Sequence, residues 1–205
     1  IFKLSGEKKV IQGAGRTDAG VHATGQCANF DLEKKLDDYQ ILNGINFHLG
    51  SEKIKITKVE KVNIEFNARF NARKKIYNYQ VYNGLAPSVI EDDFSIHIRQ
   101  KLDIDSMKKA IKLFIGKHDF SSFRAKGCQA NKPIRKIDDA SINVIEKKIV
   151  FIFKAQSFLY QQIRIMVGSL LEIGFKNRDV IWIDELIKSK DRRLAGPTVP
   201  SKGLI

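Results

Sequence analysis

Two cysteines, two methionines, one tryptophan and four prolines are all that this 205-residue chain holds of those types. With only Cys27 and Cys128 available, a disulfide scaffold is excluded and a reducing compartment is expected. The four histidines are scattered and no Cys-x-x-Cys or His-x-x-x-His spacing occurs, so no metal site is expected. No apolar run approaches the roughly 20 residues needed to span a bilayer, and no secretory signal is read, which makes a cytoplasmic protein with no membrane partner the expectation. Acid is scarcer than base: 23 Asp+Glu stand against 36 Lys+Arg, a formal net charge of +13. Such an excess favours a polyanionic partner, although a lysine-rich surface also serves solubility.

At 43% hydrophobic and 29% charged, the chain is an ordinary globular one, long enough for one good core or for two small lobes sharing one. A strand is predicted over 26–31, with Cys27 a packed thiol. A helix is predicted over 37–49, capped by Asp37 or Asp38, striped by Ile41, Leu42, Ile45 and Leu49, and stopped by Gly50. Alternation from Ile54 to Val62 predicts a strand with one wet face. The run 75–82 is the clearest strand, with Tyr77, Tyr79 and Val81 on one face. Asp103 or Asp105 then caps a helix carrying Met107, Ala110, Ile111 and Phe114 and ending at Gly116. A hairpin of 141–146 and 149–155 follows, turning at Lys147-Lys148, before two helices near 158–174 and 178–190. This order predicts an α+β fold with a mostly antiparallel sheet and helices packed on one face. Ile1–Gly6 reads as the end of a helix and Leu204-Ile205 as the start of a strand, so both ends read as trimmed.

The chemistry concentrates in Gly13-Ala14-Gly15-Arg16-Thr17-Asp18-Ala19-Gly20-Val21-His22-Ala23. A dinucleotide fingerprint would need glycine where Asp18 stands, and a Walker loop would need Lys-Ser/Thr where Val21-His22 stands. By spacing alone, Arg16 and Asp18 are equally a structural tie of a turn or a reactive site. Arg164 weighs on that choice, because it sits in a segment with little wet face, between Ile163 and Ile165. An unpaired buried guanidinium costs several kcal/mol, and the nearest carboxylate on that helix, Glu172, lies two turns away. A carboxylate from elsewhere is required, and Asp18 is the natural candidate. At helical spacing Arg164 would share a side with Tyr160 and Gln161. The Tyr77/Tyr79 strand, preceded by Arg69, Arg73, Lys74 and Lys75, could stack bases beside phosphate contacts, though core packing is the commoner fate of such tyrosines. Asp119 and His118 read as a packed loop pairing locally, and 124–136 as a basic surface loop that could touch RNA.

The block Gly15–Ala23 resembles the signature of the tRNA pseudouridine synthase A family, isomerases of uridine at tRNA positions 38 to 40. Four further blocks agree in order and spacing: 66–72 with Tyr77 downstream, 116–124, 158–170, and 195–198 through Gly203-Leu204. The resemblance implies that Asp18 is the catalytic aspartate, Arg16 its companion arginine, Tyr77 the active-site tyrosine and Arg164 the arginine paired with the aspartate. It implies two similar α/β lobes around a central positively charged cleft, a homodimer, and no cofactor or metal. The lobes would be 1–100, carrying the aspartate loop, and 101–205, carrying the arginine helix. The family's N-terminal strand, with its Tyr-Asp-Gly and Gly-Trp-Gln elements, and its final strand are missing, and Lys75 stands where relatives carry arginine. The substrate would be the anticodon stem-loop of tRNA, with Arg16, Tyr77, Arg69, Lys75 and Arg124 contacting it and Phe158 and Met166 walling off water. The competing expectation is a non-catalytic α+β RNA-binding module in which Asp18 and Arg164 form a structural pair. A nucleotide hydrolase using the glycine loop is a third.

Overall fold

In the computed structural model, which describes residues 1–205, the chain falls into two units: Ile1–Arg16 with Gly25–Ala72, and Thr17–Thr24 with Arg73–Ile205. The first contains α1 (Phe2–Ser5), β1 (Gln12–Gly13), β2 (Ala28–Asn29) and α2 (Asp38–Leu49). Helix α2 starts where the sequence places it. The Asp37 side chain accepts from the Gln40 amide while the Gln40 side chain accepts from that of Asp37, a reciprocal cap. Gly50, at φ 53°, ends it. Gly44 leaves room on α2 for Leu4 of α1, where a Cβ would collide.

The strand predicted over 54–62 is not formed. Ile54 and Val62 are exposed, and no neighbouring strand exists to pair with the segment. Instead the Asn46 carboxamide both donates to the Ile56 carbonyl and accepts from its amide, at 2.8 Å each, as a strand neighbour would. The strand predicted over 26–31 shrinks to Ala28–Asn29, paired only with Gln12–Gly13, and Cys27 is exposed rather than packed.

The second unit is built on a five-stranded sheet of β3 (Lys75–Asn83), β4 (Ile96–Ile98), β5 (Gly116–Asp119), β6 (Ile134–Ile145) and β7 (Lys148–Ala155), in the order β4-β3-β7-β6-β5. Only β3 and β4 run parallel, so the mostly antiparallel expectation holds. Alternate residues of β7 (Ile149, Phe151, Phe153, Ala155) are buried with Tyr79, Val81 and Ala140. Against this face pack α3 (Ile104–Lys112), α4 (Gln162–Gly174) and α5 (Trp182–Ser189) through Met107, Ile111, Ile165, Leu170 and Leu186. Each large apolar side chain so buried contributes about 1.5–3 kcal/mol.

Several boundaries differ from the sequence reading. Gly116 does not end α3, which stops at Lys112; at φ 113° it opens β5, a strand read as loop. Strand β6 begins at Ile134, taking the end of the predicted 124–136 loop into the sheet opposite β5, and the hairpin turns at Glu146-Lys147 with Glu146 at φ 53°. Helix α4 begins only at Gln162, because Gln161 is left-handed at φ 57° and the Gln162 carboxamide oxygen accepts from the Leu159 amide. Tyr160 and Gln161 therefore share no helical face with Arg164.

Candidate active site

Asp18 lies in a turn closed by the Val21 amide donating to its carbonyl at 3.1 Å, and Gly20 follows at φ 77°. The positive φ of Gly20 is one that residues with a Cβ rarely adopt, so the backbone here favours glycine. The loop is tied down further along. The His22 amide donates to the Leu204 carbonyl, its Nε2 bonds the Asp93 carbonyl, and its ring lies 4.7 Å from that of Phe94.

Across from this turn, Arg164 rises from the first turns of α4. Its Nη1 donates to Asp18 Oδ2 at 2.7 Å, with the two side chains 14% and 22% exposed. Its Nε donates to the Val199 carbonyl at 2.8 Å, and the Val199 amide returns a bond to the Arg164 carbonyl. The structure thus brings together two residues 146 positions apart and fixes the guanidinium from two sides. Lysine, with its donors on a single nitrogen at the end of a flexible stem, does not reproduce the two fixed directions in which Nε and Nη1 donate. Arg164→Lys is expected to lower stability by about 1–3 kcal/mol, read in a denaturant melt.

Tyr77 is half-buried on β3, edge-on to Phe158 with ring centroids 5.3 Å apart. Burial, and secondarily the negative charge of Asp18, push its hydroxyl pKa above the ordinary value, so the hydroxyl stays protonated through neutral pH. Two residues on, Tyr79 is fully buried and donates to the Pro200 carbonyl at 2.7 Å. Met166 does not line this region as expected. It points into the core, fully buried, with the Gln162 amide against its sulfur.

The remaining sequence candidates are distributed. Arg16 and Arg69 belong to the first unit and are exposed, Arg69 lying over the Phe70 ring. Lys75 opens β3 and is partly buried. Arg124 directs Nη2 to the Cys128 and Ala130 carbonyls, holding the loop that follows it. Asp119 pairs locally, accepting from the Ser121 amide and hydroxyl. No three His, Cys, Asp or Glu side chains converge as metal ligands would. No helix is long and apolar enough to cross a membrane.

The sequence reading matched 195–198 and Gly203-Leu204 to the family and read Leu204-Ile205 as a strand start, but gave the segment no role in supporting the site. This segment supplies Val199, Pro200 and Leu204 as main-chain acceptors to Arg164, Tyr79 and His22, and its last residues pair with β3 at Asn78.

Residues 110–205 match a family model described as tRNA pseudouridine synthase. The chain is also 43% identical over 204 residues to the tRNA pseudouridine synthase A of Ehrlichia canis, covering 100% of this chain and 83% of that protein. The chain belongs to the tRNA pseudouridine synthase family. The Wolbachia pipientis wMel protein of the same name is 44% identical over the same shares, and that of Anaplasma phagocytophilum is 43% identical over 95% of this chain and 79% of its own length. As a family member, the chain carries the Asp18 turn and the Arg164 helix within the span shared with these relatives.

Proposed function

We propose that this protein isomerises uridine to pseudouridine in the anticodon stem-loop of tRNA, at positions 38 to 40, with Asp18 as the catalytic residue. The observation that carries this reading is the Asp18–Arg164 pair beside a half-buried Tyr77. The reaction breaks the C1′–N1 bond, turns the base, and joins C1′ to C5; C5 loses a proton and N1 gains one. Nothing is oxidised or hydrolysed, so one carboxylate suffices to stabilise or capture the electron-poor sugar. Arg164 holds that carboxylate in position through its second tie to Val199. Tyr77 stacks on the released uracil with its hydroxyl protonated, and the Asp18 carboxylate, free again once C1′ is joined to C5, takes the C5 proton while N1 gains one. Phe158 helps exclude water, which would otherwise intercept the sugar.

Extruding the uridine costs a few kcal/mol, which phosphate contacts offset. Arg16, Arg69, Lys75 and Arg124 are the residues we assign to RNA. The same reading includes a homodimer and a cytoplasmic location. The test is incubation of the protein with an unmodified tRNA transcript, followed by carbodiimide mapping of pseudouridine. Modification confined to positions 38 to 40 is expected. Binding of the transcript with no pseudouridine formed would favour a non-catalytic RNA-binding module instead.

A further inference from the structure

Behind the Asp18–Arg164 pair, the 195–200 segment is held by side chains that the proposed chemistry does not itself use. The Gly196 amide donates to Ser169 Oγ of α4 at 3.0 Å, and Tyr79 donates to the Pro200 carbonyl at 2.7 Å. Between these ties the Val199 carbonyl accepts from Arg164 Nε at 2.8 Å.

The stretch from 195 to 198 is braced by one further side chain, Arg192. Its Nη1 donates to the Ala195 carbonyl at 3.3 Å and its Nη2 to Thr198 Oγ1 at 3.1 Å, so one planar group holds both ends of the stretch. Arg192 is partly buried and enters no ion pair. The adjacent carboxylate, Asp191, is taken by Arg193 at 2.6 Å. Burial pushes the Arg192 pKa down with no carboxylate to offset it. A guanidinium kept partly buried for a carbonyl and a hydroxyl is a costly tie, and what it fixes is the residue immediately before Val199.

We propose that Arg192 is a positioning residue for the isomerisation: by bracing Ala195 against Thr198 it sets the Val199 carbonyl, which orients the Arg164 guanidinium and through it the Asp18 carboxylate. This rests on the reading of Asp18 as the catalytic carboxylate. The links are continuous, from Arg192 to Thr198 at 3.1 Å, from Arg164 to Val199 at 2.8 Å and from Arg164 to Asp18 at 2.7 Å. A carboxylate displaced by a fraction of an ångström still binds its counter-charge but no longer meets C1′ in line, so the loss falls on turnover and not on binding.

The test is Arg192→Gln, with Arg193→Gln as a control of equal charge loss in the same turn; Arg193 is exposed and bonds only its neighbour Asp191. Turnover and KM are measured on an unmodified tRNA transcript, with Kd by filter binding and Tm by a melt. Solvent exchange of the Arg164 Nε–H is followed by NMR in protein labelled with ¹⁵N-arginine, the signal being assigned by its loss in Arg164→Lys. For Arg192→Gln, kcat is expected to fall about ten- to hundredfold with KM and Kd changed by less than about twofold. Tm is expected to fall by only about 2–4 °C, and the Arg164 Nε–H to exchange about tenfold faster. Unchanged kcat, a fall in affinity as large as the fall in kcat, an equal loss in Arg193→Gln, or lost turnover with Arg164 Nε–H exchange unmoved would overturn the proposal. If Arg192→Gln does not fold, Thr198→Val, which removes only the hydroxyl that Nη2 reaches, is scored by the same criteria. The NMR signal is read without substrate, so failure of the brace is distinguishable from failure of the Asp18 reading, which is tested by the activity of Asp18→Asn.

Discussion

Asp18→Asn is expected to abolish pseudouridine formation while tRNA binding persists. The substitution keeps the size of the side chain and an oxygen that can still accept from Arg164 Nη1, so the turn closed by Val21 and the ties of His22 remain. What it removes is the negative charge and the nucleophilic oxygen. In enzymes whose nucleophile acts in concert with its neighbours, such removal costs about 10⁴–10⁶ in rate. Affinity, carried by phosphate contacts spread over a basic surface, is expected to change by less than about threefold. The variant retains a partly buried guanidinium facing a neutral amide, and this is expected to cost about 1–3 kcal/mol of stability. Rate is read by pseudouridine yield per unit time, affinity by filter binding and stability by a melt. A fall in affinity as large as the fall in rate would assign Asp18 to binding instead.

Gly168→Ala is the second large effect, and its sign is the point. In an exposed helix interior, replacing glycine by alanine stabilises by about 1 kcal/mol. Here an added Cβ would fall on the Pro197 carbonyl oxygen. The constraint is reciprocal, since a Cβ on Gly196 would come within 2.7 Å of backbone atoms of Gly168 and Ser169. Helix α4 and the 195–199 segment therefore meet backbone to backbone, secured by the Gly196 amide donating to Ser169 Oγ at 3.0 Å. Neither side has a flexible side chain that can yield. Separating them pulls Val199 away from both of its bonds to Arg164. A loss of about 3 kcal/mol is expected, a fall in Tm of about 6–12 °C, together with reduced isomerase activity. An unchanged or raised Tm would show that the close packing is not required.

These two glycines also mark where the sequence could and could not be read. Helix α2 was legible because its signals are local: Asp37 and Gln40 cap it, Gly50 ends it, and no distant partner is needed. Strand β3 was legible because alternation of buried Tyr79 and Val81 with exposed Ile76 reports a sheet with one covered face. The alternation of 54–62 is of the same kind, yet Asn46 meets the backbone needs of Ile56 with a side chain, a substitution that periodicity does not register. Gly116 misled for a related reason. A positive φ serves a helix end and a strand entry equally, and only the β6 register distinguishes them.

At the site, the cost of leaving a buried guanidinium unpaired called for a distant carboxylate with Asp18 as a candidate, the family resemblance named Asp18, and the structure pairs the two. The supports from Val199, Pro200 and Leu204 were not legible, because they act through main-chain carbonyls that any residue would supply. The signal that could have located them was Gly168 and Gly196 together, two residues without side chains in segments otherwise packed.

Tritium release from a tRNA carrying uridine labelled at C5 tests the role of Asp18 most directly, because loss of the C5 proton accompanies every isomerisation and no hydrolytic or binding event produces it. Wild-type protein is expected to release tritium stoichiometrically with pseudouridine from positions 38 to 40, and Asp18→Asn to release none above background while still binding the labelled tRNA. Release by Asp18→Asn at the wild-type rate would contradict the assignment of Asp18 as the catalytic residue.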